Sequence, residues 1–354
     1  MSMVLGNYLR RRVTGQIVGL LLALTGLTQL LELLEVTNDV LARHLGLAGV
    51  LHYAVLRIPS EMVLMLPLAG LLGSMAAFYA MARAREITAL RSAGVGLTRL
   101  LMYLAPVPVL FAALHLALAQ KVVPVSESAL KTWWDSTEPL EKRTASPEWV
   151  RTSRGIVLFQ RSSPDGLRLQ DVSIYVRGPD GLLTLTTRAA EAAWDTDHWH
   201  LSGARDLHPA PGAWSAGPTQ RDWDSNLSPE DVMQIDEADP HLSTSAIADV
   251  IGGERVSTRP RTYYETVLLQ SMVAPFTVFI MMLLAMPAAI VSERGGGGGR
   301  MLVALFFGLG FLLVDGLFSS FGTSGRISPE LAAMAAPAMF ALVGLVQLRA
   351  CERA

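Results

Sequence analysis

Five stretches of this chain run for a membrane-spanning length without a single Asp, Glu, Lys or Arg, and only His115 among them is titratable in the neutral range. Val13–Leu31 has 19 residues, Met62–Ala82 and Leu100–Gln120 have 21 each, Thr266–Ser292 has 27 and Leu331–Leu348 has 18. An α-helix rises 1.5 Å per residue, so about 20 apolar residues cross a hydrocarbon core of about 30 Å. A sixth run, Met301–Gly325, is long enough but contains Asp315. Charged residues make up only 17% of the 354, against about 25% in a soluble domain. The expected fold is membrane α-helical, with six transmembrane helices arranged three and three. Arg10–Arg12 precede the first run as they would in a signal peptide. No small-residue cleavage site follows, so the run reads as a retained anchor.

Orientation follows from basic residues in short loops, because Lys and Arg resist translocation. One set of helix ends carries Arg10–Arg12, Arg83, Arg85, Arg91, Arg99, Arg294, Arg300, Arg349 and Arg353; the other carries little beyond Arg43, Arg57 and Arg326. Both termini are expected in the cytoplasm and the long insert between spans three and four on the far side. That divides the chain into 1–120 (spans one to three, with a cytoplasmic helix at 84–96), 121–258 (the insert) and 259–354 (spans four to six). The insert carries 13 Lys and Arg against 21 Asp and Glu, a net of −8, while the rest nets +6.

The insert reads as β. "GIVLFQR" (155–161), "GLRLQDVSIYVRG" (166–178) and "GLLTLTTRAAEAAWD" (181–195) alternate or are β-branched, and Pro164-Asp165-Gly166 and Gly178-Pro179-Asp180-Gly181 mark turns. "AWDTDHWHL" (193–201) predicts a hairpin in which Trp194 and Trp199 pair across a tight turn. Short strands in about 140 residues suggest an all-β, jelly-roll-like domain or curled sandwich with one apolar interior. Beyond it, Ser228-Pro229 predicts an N-capped turn, and "SAIADVIGG" (245–253) a short helix ended by glycine.

Several chemistries are missing. A phosphate-binding loop needs a lysine just before Ser or Thr, and the only lysines are Lys121, Lys131 and Lys142, after Gln120, Leu130 and Glu141. The glycine run Gly295–Gly299 lacks that lysine and reads as a turn. Gly322-Thr323-Ser324-Gly325 resembles an intramembrane serine-protease motif, but the following span has no histidine to activate the serine. His198 and His200 have a spacing possible for metal ligands; beside a hairpin turn they read as solvent-exposed, and no metal site is expected. Cys351, the single cysteine, makes neither an intramolecular disulfide nor a multi-cysteine metal site. No cofactor and no nucleic-acid partner is expected, and the chain is not expected to be an enzyme.

Ionisable groups near lipid are costly and often functional. Glu32 and Glu35 sit at the outer end of span one, Glu61 opens span two and Asp315 interrupts span five. Solvation at headgroup level accounts for the glutamates as well as a transport role does, and Asp315 is compatible with transport or with pairing to a neighbouring helix. The remaining feature is "AREITALRSAGVGLTRLL" (84–101), a polar interruption between two apolar spans. Ile87, Leu90, Gly94 and Leu97 form one narrow helical stripe, with Glu86 and Arg91 off it. A charged amphipathic helix on the cytoplasmic side gives a separate motor a contact that charge can select; a membrane-surface connector is the alternative.

Three spans, a β-rich extracytoplasmic domain and three further spans resemble the LptF/LptG permeases of lipopolysaccharide export, the LptG branch more than the LptF branch. "REITALRSAGVG" (85–96) is similar to the family's coupling helix, "IPSEMVLMLPLAGLLG" (58–73) to its proline-broken second span, and "AAEAAWDTDHWHLSGA" (189–204) to its periplasmic alanine–tryptophan hairpin. "LSPEDV" (227–232), "MVAPF" (272–276) and "RGGGGGR" (294–300) fit in the same order.

The resemblance implies an inner-membrane half of an ABC exporter. It would pair with LptF, dock on a cytoplasmic LptB dimer that binds and hydrolyses the ATP, associate with single-span LptC and pass lipopolysaccharide to a periplasmic bridge. Coupling would fall to Arg85, Glu86, Ile87, Leu90, Arg91 and Gly94. Spans one and five would line the lipid cavity, through Gln29, Glu32, Leu305, Leu309, Asp315 and Phe318. The family often carries a basic residue near the outer end of span one; this chain has Gln29, Glu32 and Glu35, which leaves lipid-phosphate contact to Arg43 or the sister subunit. An ion-coupled transporter and a non-transporting scaffold are the other classes compatible with the residues.

Overall fold

A computed structural model describes residues 2–137, 147–152, 155–163, 165–178, 182–207, 214–216, 220–225, 227–234, 244–252, 259–289 and 298–353. Gly295–Gly297, Pro164 and 179–181, on which three turn expectations rest, lie outside them. The chain divides into two compact units, Met1–Leu130 with Thr266–Ala354, and Lys131–Glu265.

Six helices among the described residues are long and apolar enough to cross a membrane: Val4–Ala42, Gly46–Arg83, Leu97–Trp134, Arg261–Ala288, Met301–Thr323 and Pro329–Glu352. All but the end of the third and the start of the fourth fall in the first unit. Helix α1 (Ser2–Ala42) turns into α2 (Gly46–Arg83) through His44 and Gly46, both left-handed at φ 60° and 61°. The expected break in the second span is absent. Helix α2 runs unbroken through Pro59 and Pro67; each proline removes one backbone hydrogen bond, a loss that neighbouring helices make tolerable in a membrane span. The third span follows a short α3 (Glu86–Ser92) and is segmented into α4 (Leu97–Leu104), α5 (Pro106–Ala117), a π-helical turn at Leu118–Val122 and α6 (Val123–Ser136). Helix α4 stops where Pro106 and Pro108 cannot donate backbone hydrogen bonds.

Helix α2 is the centre of this unit. A Cβ on Gly73 would lie 2.6 Å from the Ile17 Cα of α1, and one on Gly308 would overlap the Leu71 side chain. Gly308 belongs to α11 (Gly298–Thr323). So α1 and α11 both press on α2 at neighbouring positions, using missing side chains to bring backbones close, as membrane helices do where water cannot drive association. Phe78, Phe111, Phe311, Leu66 and Met81 fill the space around that contact and are fully buried. The last spans comprise α9 (Arg261–Val273), a 3-10 turn, α10 (Thr277–Leu284), α11 and α12 (Pro329–Arg353).

The second unit contains eight antiparallel strands among the described residues, in the order β1 (Pro147–Thr152), β2 (Gly155–Arg161), β3 (Arg168–Arg177), β4 (Leu183–Asp195), β5 (His198–Ser202), β8 (Gln220–Trp223). Strand β6 (Arg205–Leu207) continues along β4 in the register of β5, and β7 (Trp214–Ala216) pairs with β6. The connectivity is thus an up-and-down meander whose later strands are interrupted at Gly203, with φ 69°. One face closes over Val157, Phe159, Leu169, Val172, Trp199 and Leu201, the single apolar interior that the alternation predicts.

The predicted hairpin is present: Trp194 and Trp199 are cross-strand partners with ring centroids 5.2 Å apart, and Thr196 takes φ 50° in the turn. Trp199 also donates its indole N–H to the Leu227 carbonyl at 2.8 Å. That bond leads into α7 (Pro229–Gln234), whose start is capped as expected. The Ser228 hydroxyl accepts from the Asp231 N–H at 3.1 Å, and Asp231 accepts from the Ser228 N–H at 2.9 Å. Thr244–Gly252 form α8. In the β2–β3 turn the Ser163 side chain and the Leu167 N–H both hydrogen-bond the Asp165 carboxylate, holding its carboxyl below the usual range.

The α1–α2 contact gives a two-sided prediction. Gly73→Ala should destabilise the purified protein by about 1–3 kcal/mol through overpacking. Gly15→Ala, where nothing lies within 4 Å of the new Cβ, should be neutral or stabilise α1 by up to about 1 kcal/mol. Thermal unfolding of the two variants in the same detergent checks the opposite signs.

Candidate functional site

Polar residues collect at two ends of the helical unit. At one end lies α3. Ile87 is only 4% exposed and Leu97 1%, and Leu90 packs against the same core. The stripe that looks available for a partner therefore faces the bundle. Glu86 is also engaged internally: it accepts hydrogen bonds from Arg12 and, at 3.2 Å, from the Tyr8 hydroxyl of α1. Arg12 in turn donates to Tyr8 at 2.6 Å. Gly94 ends α3. Its φ of 81° suits glycine, its N–H bonds Arg91 O at 3.0 Å and the Val95 N–H bonds Leu90 O at 2.9 Å, which is a Schellman stop. What remains exposed is a face of Arg85, Thr88, Ala89, Arg91 and Ser92.

Two further ties hold this end. Arg10 donates to the Tyr103 carbonyl at 2.8 Å, and Glu352 of α12 accepts from the Thr98 N–H at 2.9 Å and from the Thr98 hydroxyl. The carboxylate thus sits where the first turn of α4 leaves a backbone donor unsatisfied.

At the other end of α1, Arg57 of α2 bridges two helices. It donates to Glu32 of α1 at 2.7 Å and to Glu127 of α6 at 2.8 Å, with Glu61 one turn away at 4.0 Å. Tyr53 donates to Glu32 at 2.7 Å and Ser60 to Glu127. The four charged side chains are between 9% and 28% exposed. Glu32 and Glu61 are therefore partners of one cation in a three-helix cluster. The sequence signal for it was helical spacing, since Tyr53, Arg57 and Glu61 recur every four residues; Glu127, counted with the insert, gave no signal.

The residues that the resemblance leads one to expect along a lipid cavity separate into two groups. Leu309 is exposed, and Leu305 and Phe318 are half-buried on α11. Asp315 is half-buried, and no hydrogen bond or ion pair reaches it among the described residues. Gln29 is 8% exposed, with both amide atoms buried and unpartnered, so it lies inside the bundle. Sequence reasoning missed the exposed rows beside them: Leu27, Leu30, Leu31 and Leu34 on α1, and Leu302, Phe306, Leu313 and Leu317 on α11. Ser324 donates to the Phe321 carbonyl at 3.0 Å in the turn after α11, a helix-end role.

Six apolar helices, an inserted antiparallel β unit and polar clusters at the helix ends define a multi-pass membrane protein of permease type. Residues 7–350 match the family model described as "Lipopolysaccharide export system permease LptF/LptG", and the chain belongs to that family. Among its relatives are the lipopolysaccharide export system permease proteins LptG of Escherichia coli strain K12 and of Escherichia coli O6:H1 strain CFT073. Each is 22% identical over 350 residues, covering 97% of this chain and 97% of the relative. Both carry the name of the branch that the sequence resembles.

The Arg57 cluster carries its own prediction. Arg57→Ala leaves three carboxylates together in a half-buried site and should cost about 2–4 kcal/mol, below the full penalty of an orphaned buried charge because water reaches the cluster. Arg57→Lys, a point charge without the guanidinium fork, should recover only part of it. Chemical or thermal unfolding of the purified variants reads the order wild type, Lys, Ala.

Proposed function

We propose that this chain is the LptG-type permease half of an ATP-driven exporter that removes lipopolysaccharide from the inner membrane. It pairs with an LptF-type half and takes its power from a cytoplasmic LptB-type ATPase dimer. It works with a single-span LptC-type subunit and delivers lipid to a periplasmic β bridge. Both termini and α3 lie in the cytoplasm and the β unit in the periplasm, which the distribution of Arg supports. The chain itself hydrolyses no nucleotide.

The observation that carries this reading is the uneven burial of the spans. Only 22% of the α1 span and 17% of the α11 span are buried, against 33–50% of the others. Both helices pack on α2 and still leave leucine-rich faces open, which suits a sister subunit and acyl chains rather than more of this chain. Asp315 stands on α11 with no hydrogen-bond or ion-pair partner among the described residues, which suits an interaction with the sister half or the cargo. Extraction needs an energy source, since each CH₂ withdrawn from apolar surroundings costs about 0.8 kcal/mol.

The exposed side of α3 is the motor contact. Because Glu86 is tied to Arg12, charge selection falls to the exposed Arg91, near the small Ala89. In membranes holding the whole complex, Ala89→Asp should reduce recovery of the ATPase by about tenfold or more, since a buried like or unpaired charge costs several kcal/mol. Its unfolding temperature should match wild type. Glu86→Gln should instead lower that temperature, by loosening α3 from α1. Full ATPase recovery and normal nucleotide-driven export by the Ala89→Asp variant would remove α3 from the coupling role.

A further inference from the structure

Strand β5 turns Trp199 and Leu201 into the β core and His198 and His200 to the solvent face. Pairing with β8 sets Asp222 opposite His200, and pairing with β4 sets Asp195 opposite His198. The four side chains converge. His200 Nδ1 is 2.6 Å from Asp222 Oδ1, His200 Nε2 is 3.7 Å from Asp195, and His198 Nε2 is 3.8 Å from the second oxygen of Asp222. The two imidazole centroids are 4.6 Å apart, and one ligand atom from each of His198, His200 and Asp222 can be drawn so that all lie within 4.8 Å of one another.

We propose that His198, His200 and Asp222 bind a divalent transition-metal ion of the Zn²⁺ class on the solvent face of the β unit. Two imidazoles and a carboxylate are a donor set that such ions favour over Mg²⁺ or Ca²⁺, which take oxygen ligands. Bonds of about 2.0–2.2 Å place tetrahedral ligand atoms about 3.3 Å apart, so the present separations need shifts of under about 1 Å in side chains that are 39–68% exposed. With His200 Nδ1 on the ion, its Nε2–H points to Asp195, the outer carboxylate that commonly orients a ligating histidine. Asp197 in the turn and Asp224 after β8 add negative charge along the same edge, and water completes the coordination.

The ion would act as a clip. Strand β8 closes one end of the strand order and has four residues. Fastening Asp222 to β5 holds an edge strand that has one paired neighbour among the described residues. Because the folded sheet assembles the ligands, the ion stabilises the folded form by mass action.

The test uses the full chain in detergent, carrying no polyhistidine tag and stripped with EDTA. Equilibrium dialysis with elemental analysis should find one Zn²⁺ per chain, with a dissociation constant at or below about 10 µM. Co²⁺ should give visible bands of four- or five-coordinate geometry, and millimolar Mg²⁺ should displace neither ion. Asp222→Asn removes a direct anionic ligand and should weaken binding by more than the roughly ten- to hundredfold that loss of an outer partner costs, and His198→Ala with His200→Ala should abolish it, each variant unfolding at the wild-type temperature in EDTA. Zn²⁺ should slow amide exchange in Gln220–Trp223 of the unaltered protein. Absence of stoichiometric binding, displacement by Mg²⁺, or retention of the ion by the double variant would each overturn the site, whatever the protein's transport activity.

Discussion

Helix α1 carries an ion-paired residue at each end of its apolar stretch, and that spacing sets the frame for everything else. Arg12 meets Glu86, and Glu32 meets Arg57. Some 20 residues of helix separate them, about 30 Å, which is the thickness of a hydrocarbon core. Charges at these depths are affordable only because each has a partner and neither lies at mid-membrane. Sliding α1 by one turn would break both clusters together, so the pairs fix the register of α1 against α2, α3 and α6.

Between those ends there is little but shape. Lipid tails are as apolar as leucine, so helices hold together through close packing rather than exclusion of water. Gly73 against Ile17 and Gly308 against Leu71 provide it on neighbouring positions of α2. The same arrangement explains why α1 and α11 are the open helices. Helix α1 buries the line Leu9, Val13, Ile17 and Leu21, and α11 lies against both α2 and α12, through Gly308 and Phe311, so each leaves a leucine-rich face outward.

Much of this was legible in the chain. Span number and the β insert follow from charge-free runs and alternation, and the Trp194–Trp199 pair and the Ser228 cap follow from local chemistry. The errors share a cause. Ile87, Leu90 and Leu97 were legible as a stripe, but a stripe states that one side is apolar without stating what covers it; here the bundle does. Glu86 appeared free because its partners lie more than 70 residues away. Glu127 and Asp222 were silent for the same reason: each joins its cluster through tertiary pairing, Glu127 with α2 and Asp222 with β5. The resemblance placed Gln29 among residues expected to line a lipid cavity, whereas its amide is buried within the helical unit. On a long apolar helix such as α1 the sequence has no single polar face from which that burial could be read.

The inward tie of Glu86 strengthens the proposed coupling role of α3. A contact helix that floated on the surface would absorb a push by bending its own connections. Helix α3 instead is wedged by Ile87, stopped by the Schellman turn at Gly94, and linked through Glu86 to Arg12 of α1. The adjoining α4 is linked through Glu352 to α12. Force applied at Arg85 and Arg91 would thus reach one of the two open helices directly through an ion pair, while the tie to α12 keeps the start of the third span from following it. That difference between a driven and a braced helix is what would convert nucleotide chemistry in a separate subunit into opening and closing of a lipid-facing wall.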